Sequence, residues 1–556
     1  MTRVVAIGID AVEPSLITTM IREGRLPHLE QLHARAATVD LSTGSDYRAE
    51  FPWNEFCTGR RASTLRYWST VTFDPDAYAT YMRGAPDAEP FYAVGDDATV
   101  IAFDLPKVVR SSGVRGVQIL GWGAHSPQYP FGSMPDSEYD TLMTAFRPSP
   151  GLDIEYAGGW HQPEYLTRLA DVQANAVRTR AQILRWLASR TPEWKLLLTL
   201  IGETHQLGHM TAHGFVGRLA QAPTASVARA AMISALEAVD AAVGDVVSWV
   251  PNNTTVIVFS VQGMTTADDE TASSLVPEML VRNATGEARL PATELGPWRR
   301  RGAPPLIPAE WDDPIEWLER RFRASASATR RREAWRGARH ALRKYAPAVP
   351  RARRRLMGIP EPPAPTGPPP PTEFPFRDDS LNDWIAAAWY RDAWPRLPAF
   401  AIPGFSDAQI RINLDGRERD GIVDRDDYAR ACDDVERMLR SCRNGATGAP
   451  LVREVHRIRA GDPYAPDGPP ADLIVQLHGA DAIEHPELGA VGPIVTARTG
   501  GHTTNGFAFV VGPGIAPGPR GTFAVCDLSA TILELLGAHP STPLDGRPFL
   551  SSDVHT

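Results

Sequence analysis

Two histidines four residues apart, His205 and His209, directly follow an apolar run at residues 194–201. Such a run is typical of a buried parallel strand, and open α/β sheets bind their ligands at the carboxyl ends of such strands. If the chain turns helically there, positions i and i+4 share a face, so both imidazoles can converge on one cation. An isolated H-x-x-x-H is more often a pair of surface histidines, and the metal interpretation therefore depends on the rest of the chain.

Two further metal-type ligands lie beside predicted strands. Asp10 ends the first strand, at residues 4–9, and His502 lies just before the C-terminal strand. The carboxyl ends of parallel strands lie together, so these residues can meet His205 and His209 at one edge of a sheet. Three neutral imidazoles suffice to hold zinc and leave a fourth position open, as in catalytic sites. We expect one Zn2+, with a second ion left open.

The pattern of strands and helices predicts the scaffold. Short β-rich runs alternate with helical segments at residues 165–189 and 225–250, and another strong strand follows at 254–260. This alternation is typical of a parallel sheet covered on both faces. The fold class we predict is α/β: a doubly wound, mostly parallel central sheet with helices on both faces, plus a mostly helical insertion or cap.

The middle of the chain differs in composition. Residues 320–355 are rich in arginine and residues 360–375 in proline. The proline-rich stretch is typical of an extended linker, and the arginine-rich part of a helix with a solvated basic face, although an anion or nucleic-acid contact stays open. We therefore predict a core in two parts, at 1–265 and 401–556, separated by an insertion at 266–400.

Composition narrows the class of protein. The chain has 556 residues, 43% of them hydrophobic, a net charge of −9 and four cysteines. The acidic balance argues against nucleic acid as a partner, and the cysteines show no C-x-x-C spacing. No apolar stretch approaches the length of a membrane span, and strand-like residues begin at position 4. We expect a cytoplasmic protein with no membrane partner, and a homodimer stays open.

Several segments, in the same order along the chain, resemble those of one known family. They are Gly-Ile-Asp-Ala at 8–11, residues 24–29, Phe-Pro-Trp-Asn-Glu-Phe-Cys-Thr-Gly at 51–59, 205–209, 260–264, 412–423, Thr-Gly-Gly-His-Thr-Thr-Asn-Gly at 499–506, and 545–548. Together they resemble the type I phosphodiesterase/nucleotide pyrophosphatase branch of the alkaline phosphatase superfamily. The resemblance covers both ends of the chain and omits roughly residues 265–400.

The resemblance implies a site with two metals and a threonine or serine nucleophile bound to one of them. One metal site is matched in number by His205, His209 and His502, with an imidazole in place of one carboxylate. At the other, Asp10 is present, but Val261 and Gln262 occupy the places of an aspartate and a histidine. Valine cannot bind a metal and an amide is a weak ligand.

The nucleophile position aligns with Ala49, which has no side-chain oxygen. A shifted register would leave Thr43, Ser45 or Thr58 as hydroxyl candidates, and the sequence does not show whether the alanine is native. Without the nucleophile no covalent phosphoryl-enzyme forms, so water or a second substrate attacks directly.

The remaining predicted site residues follow from their places beside these segments. Glu203 is a candidate general base or a partner of an imidazole, and equally a strand-end carboxylate at a helix start. Asn54 and Gln262 are candidate hydrogen-bond donors to an oxyanion. The predicted substrate-binding residues are Glu50, Trp53 and His125.

These observations predict a metal-dependent hydrolase or transferase of the phosphodiesterase type. The predicted substrate is a small anionic, phosphoryl-type ester, handled by a three-histidine centre. The alternative is a repurposed enzyme of non-phosphoryl group transfer in a biosynthetic pathway, or a metal-binding pseudoenzyme.

Overall fold

The computed structural model describes residues 3–43, 51–123, 131–152, 159–290, 294–303, 385–459, 461–466, 468–494, 496 and 498–550. The predicted arginine-rich helix and proline-rich linker lie outside these residues, as do Ala49, Glu50 and His125.

The described residues form strands and helices in alternation. The strands are β1 (Arg3–Ile9), β2 (Ala37–Ser42), β3 (Val71–Asp74), β4 (Ala79–Met82), β5 (Val100–Phe103), β6 (Gly116–Leu120), β7 (Gly132–Met134), β8 (Leu196–Ile201), β9 (Thr254–Ser260), β10 (Met264–Thr266), β11 (Ala399–Ile402), β12 (Ala408–Ile412), β13 (Arg443–Asn444), β14 (Val452–Arg457), β15 (Leu473–Leu477), β16 (Ile483–His485), β17 (Gly489–Val491), β18 (Gly500–His502), β19 (Asn505–Val511) and β20 (Gly518–Ala524). The helices are α1 (Pro14–Arg22), α2 (Pro27–His33), α3 (Pro52–Thr58), α4 (Ala62–Leu65), α5 (Ser137–Phe146), α6 (Pro163–Arg190), α7 (Glu203–Thr211), α8 (Ala225–Trp249), α9 (Asp268–Ser273), α10 (Val276–Thr285), α11 (Leu295–Arg300), α12 (Tyr428–Ser441) and α13 (Val525–Leu536).

A nine-stranded sheet organises the molecule, in the order β20-β2-β19-β9-β1-β8-β5-β6-β7. The β1 strand lies between β8 and β9 and is parallel to both. The β19 strand runs antiparallel to β9 and β2, so its first residues lie at the same edge as the last residues of β9. The chain ends of β1, β8 and β9 and the start of β19 therefore meet at one edge.

Both faces of this sheet are covered. Along β1, Val5 and Ile7 pack into a core with α6 and α8, whereas Val4 and Ala6 pack into a second core with α3 and α13. Successive side chains of a strand point to opposite faces, so a strand covered on both sides must be apolar throughout. The fully buried runs of β8 and β9 satisfy this requirement. The predicted doubly wound α/β fold is confirmed.

A second sheet lies between the main-sheet strands β9 and β19 in sequence. Its order is β11-β12-β15-β14, and all its pairs are antiparallel. It has a core of its own, which includes Leu275 and Met279 of the α9–α10 region and Phe73 of the β3–β4 hairpin. The segment predicted as the second part of the core, 401–556, thus supplies strands to several sheets, and the main sheet resumes only at β19.

Among the described residues, every helix is too short or too polar to cross a lipid bilayer.

Candidate metal centre

The three predicted histidine ligands meet at the edge where β1, β8, β9 and β19 come together. His205 and His209 lie on α7, directly after β8, and His502 is the last residue of β18. The His205 Nε2 atom lies 3.0 Å from His502 Nε2 and 3.3 Å from His209 Nε2. Tetrahedral zinc with Zn–N bonds of about 2.0–2.1 Å places its ligand nitrogens about 3.3 Å apart. The spacing therefore fits one zinc ion.

The hydrogen bond of His209 fixes which of its nitrogens can bind a cation. Its Nδ1 atom lies 2.6 Å from the carbonyl oxygen of Gly500. A carbonyl oxygen only accepts, so Nδ1 carries the proton and donates, and the lone pair of the neutral ring is on Nε2. This Nε2 atom is the one that points toward His205. An outer partner of this kind is typical of histidines that bind metals.

Close backbone contact between α7 and β18 holds the three rings together. The Thr499 amide donates to the His209 carbonyl oxygen at 2.8 Å. A Cβ atom built on Gly500 would lie 2.3 Å from the carbonyl oxygen of Gly208, whereas real Cβ contacts below 3.0 Å essentially never occur. Only glycine at position 500 permits this approach.

We expect Gly500→Ala to damage the centre while the sheet still folds. The new methyl group must push β18 away from α7, and a displacement of about 1 Å at a reacting centre costs about 100-fold in rate. Zinc affinity should fall as well. Gly461→Ala is the control, because a Cβ there meets nothing within 4 Å. Zinc affinity and hydrolysis unchanged in Gly500→Ala would contradict this account of the contact.

Asp10, the fourth predicted ligand, makes other contacts. Among the described residues, the group with metal-ligand spacing contains only the three histidines. The Asp10 carboxylate is buried, and its Oδ1 atom accepts hydrogen bonds from Trp53 Nε1 at 2.7 Å and Gln262 Nε2 at 3.2 Å. Two N–H groups thus stabilise the charge of this carboxylate.

Trp53 and Gln262, predicted to contact substrate or an oxyanion, therefore lie beside Asp10. The Trp53 ring is 2% exposed and packs against Phe56 and Phe259 in the core. A buried ring in this position supports Asp10 and the sheet.

The structure places Glu203 in a buried ion-pair network. It is the first residue of α7, and Arg180 donates to its Oε1 atom at 2.8 Å and also to Asp104 Oδ2 at 2.7 Å. Arg180 Nε lies 3.2 Å from Glu203 Oε2, so both oxygens of Glu203 are engaged. Because a guanidinium holds this carboxylate, its contacts favour a structural role at the start of α7 over the role of a general base.

Asn54 is fully buried on α3, and its Nδ2 atom donates to the Lys107 carbonyl oxygen at 3.1 Å. The Nδ2 donor of Asn54 thus holds a loop of the scaffold. Thr58, one of the alternative hydroxyl candidates, donates to the Asn54 carbonyl oxygen at 2.7 Å within the same helix.

Sequence reasoning missed two charged residues at this edge. Arg498 Nη1 lies 3.1 Å from His209 Nε2, and Glu13 Oε2 accepts a hydrogen bond from Thr503 Oγ1 at 3.2 Å. Burial raises the pKa of Glu13. Glu13 follows Asp10 by three residues and Arg498 precedes His502 by four, so proximity to predicted ligands was the only signal in the sequence.

His213, which the sequence gave no reason to single out, has a structural role. It is buried between Thr499 Oγ1 and Thr224 Oγ1, each 3.1 Å from a ring nitrogen. Burial lowers its pKa to about 4. The ring is therefore neutral at pH 7 and braces the segment that leads to His502.

The type I phosphodiesterase/nucleotide pyrophosphatase family matches residues 4–301, which is more than half of the chain. The protein belongs to this family. It is therefore an enzyme of the phosphodiesterase type, and the predicted resemblance is confirmed. No curated protein matches the chain in sequence.

Solved structures of similar proteins share low sequence identity with this phosphodiesterase family member. Phosphonoacetate hydrolase from Sinorhizobium meliloti 1021 is 12% identical with a TM-score of 0.46, covering 97% of this chain and 95% of its own. Murine ectonucleotide pyrophosphatase/phosphodiesterase 5 is 10% identical with a TM-score of 0.41, covering 98% and 97%. Alkaline phosphatase PafA is 10% identical with a TM-score of 0.42, covering 99% and 98%.

Proposed function

We propose that this enzyme acts on small anionic phosphoryl esters at a single zinc ion held by His205, His209 and His502. It does so without a covalent phosphoryl-enzyme, by hydrolysis or by transfer to a second substrate. The observation that carries the proposal is the convergence of the three imidazole Nε2 atoms. Membership of the phosphodiesterase family supports the ester class.

The charge of the centre favours an anionic substrate. Three neutral imidazoles contribute no negative charge, so the charge of a bound dication is not offset by its ligands. When bound, zinc would polarise a phosphoryl oxygen and lower the pKa of a water molecule that it holds. The protein itself holds His209 in one tautomer through Gly500, and a zinc ion held by three imidazoles would have a fourth position for substrate or water.

The surroundings of Asp10 support one ion rather than two. Its Oδ1 atom already accepts N–H groups from Trp53 and Gln262, and Val261 beside them has no ligand atom. A second cation at Asp10 would have to displace these donors. A buried carboxylate needs a metal ion or hydrogen-bond donors to stabilise its charge, and at Asp10 these two N–H groups do part of this.

Hydrolysis of bis-p-nitrophenyl phosphate by the zinc-loaded protein tests the proposal. We expect turnover that a chelator abolishes and added zinc restores, because the centre depends on a removable ion. Acid-quenched reactions with a radiolabelled phosphate monoester should leave no label on the protein, since no hydroxyl nucleophile acts.

Three results would point elsewhere. Bound zinc without turnover on any phosphate or sulfate ester would favour non-phosphoryl group transfer. Absence of bound metal would indicate a protein that has lost the centre. Label retained on the protein would show that a hydroxyl nucleophile acts after all.

A further inference from the structure

Arg498 contacts the metal centre directly. Its Nη1 atom lies 3.1 Å from His209 Nε2, and its side chain is 13% exposed. A guanidinium in a protein is always protonated and only donates, so His209 Nε2 accepts this hydrogen bond. The lone pair that Arg498 contacts is the one that a metal ion needs. A cation and this N–H group therefore cannot use His209 at the same time.

The rest of the Arg498 guanidinium is fixed to the wall of the site. Its Nε and Nη2 atoms form a two-pronged ion pair with the Glu270 carboxylate of α9, at 2.7 and 2.8 Å. Nη2 also lies 3.3 Å from the Phe405 carbonyl oxygen. Glu270 and Phe405 thus hold two of the three nitrogens, and Nη1 is the nitrogen directed at the imidazoles.

Metal binding changes what Nη1 faces. Glu270 keeps the guanidinium beside the centre, so once a cation takes the His209 lone pair, two positive groups lie close together. The bound cation and the guanidinium would repel each other, and an anion that contacts both groups would relieve this repulsion. Guanidinium groups bind phosphate oxygens with charge-assisted hydrogen bonds.

We propose that Arg498 binds an anionic phosphoryl oxygen of the substrate, its Nη1 atom moving from His209 to that oxygen when the metal is bound. This inference rests on the proposed function and adds the residue that recognises the substrate's charge. It specifies the ligand class as a phosphoryl group with at least one unesterified, negatively charged oxygen. Phosphotriesters, which lack such an oxygen, should be poor substrates.

The test compares Arg498→Met, which removes the donor, with Arg498→Lys, which keeps a positive charge but loses the fork to Glu270. Inorganic phosphate binding to the zinc-loaded protein, measured by calorimetry, should weaken by about 10- to 100-fold in Arg498→Met, the range for a hydrogen bond to a charged group. The loss should be smaller in Arg498→Lys. Zinc affinity of the metal-free protein should be equal or higher in Arg498→Met, because the competing donor is gone.

Arg218→Met is the matched control. Arg218 pairs with Asp268 of α9, the helix that carries Glu270, and with Asp481, at 3.0 and 2.5 Å, and neither ion pair includes the three histidines. Phosphate and zinc binding should both stay near those of the unsubstituted protein in this control.

Three results would overturn the inference. Unchanged phosphate binding in Arg498→Met, with zinc still bound, would show that Arg498 does not contact the anion, and the proposed function would survive. If Arg498→Met binds zinc more weakly but binds phosphate equally well per bound zinc, Arg498 only positions His209 and does not contact the anion. If the unsubstituted protein binds no zinc, the proposed function and this inference both fail.

Discussion

His209→Ala should remove zinc from the protein and lower phosphodiester hydrolysis by about 1000-fold. The charge stabilisation that a metal ion gives a transition state is worth several kcal/mol, and about 4 kcal/mol corresponds to that factor. In the proposed centre His209 supplies one of three ligands, and its Nδ1 atom already donates to the Gly500 carbonyl oxygen. Loss of a residue that only hydrogen-bonds to a ligand costs about 10- to 100-fold in metal affinity. Loss of the ligand His209 itself should therefore lower zinc affinity by more than this. Metal analysis after gel filtration and a bis-p-nitrophenyl phosphate assay measure the two effects.

His539→Ala is the control for this substitution. His539 is exposed and pairs with Asp97 on the surface. Zinc content and hydrolysis should not change. Retention of one zinc per chain in His209→Ala, together with full activity, would show that the ion lies elsewhere.

Arg180→Met should destabilise the protein by about 3–5 kcal/mol, the usual cost of removing one partner of a buried ion pair. The Arg180 side chain is 1% exposed, and it is the guanidinium between Asp104 and Glu203, which are 0% and 4% exposed. Without it, two buried carboxylates face each other. Urea unfolding followed by circular dichroism at pH 7 measures the change in the free energy of unfolding.

Arg185→Met, on the same helix α6, is the matched control. Arg185 pairs with Asp245 at 2.7 Å, but the two side chains are 54% and 40% exposed. An exposed pair contributes about 0–1 kcal/mol. Equal losses in the two variants would contradict the assignment of Arg180 as the buried counter-ion of Glu203 and Asp104.

The sequence predicted those features that local patterns encode. The continuous apolar runs of β1, β8 and β9 indicate strands covered on both faces, and the structure shows them side by side. The spacing of His205 and His209 predicted a shared helical face, and α7 provides it. Because ligand sites lie at strand ends in such sheets, His502 could be placed with them from its position before β19.

Features that depend on distant pairing could not be predicted. Arg498 and Glu270 are 228 residues apart in sequence, and no local sequence pattern predicts their ion pair. The same holds for Arg180 and Asp104, which are 76 residues apart. A lone charged residue looks the same in a sequence whether it is solvated or paired in the core, so Glu203 could equally be a base or a structural carboxylate.

Asp10 stays a predicted metal ligand, and the structure adds contacts of its carboxylate that the sequence could not show. Its carboxylate can bind a metal, and the sequence predicted that use. Trp53 and Gln262 lie far from Asp10 in sequence, yet both donate to its Oδ1 atom. Once buried N–H groups satisfy that oxygen, the site has less need of a cation.

Anomalous diffraction from crystals grown with zinc, recorded on both sides of the zinc absorption edge, tests the central claim most directly. We predict one strong peak per chain, about 2.0–2.1 Å from the Nε2 atoms of His205, His209 and His502. The carboxylate of Asp10 should show no peak of its own. A peak bound by Asp10 and not by the three histidines, or no peak at either place, would contradict the account.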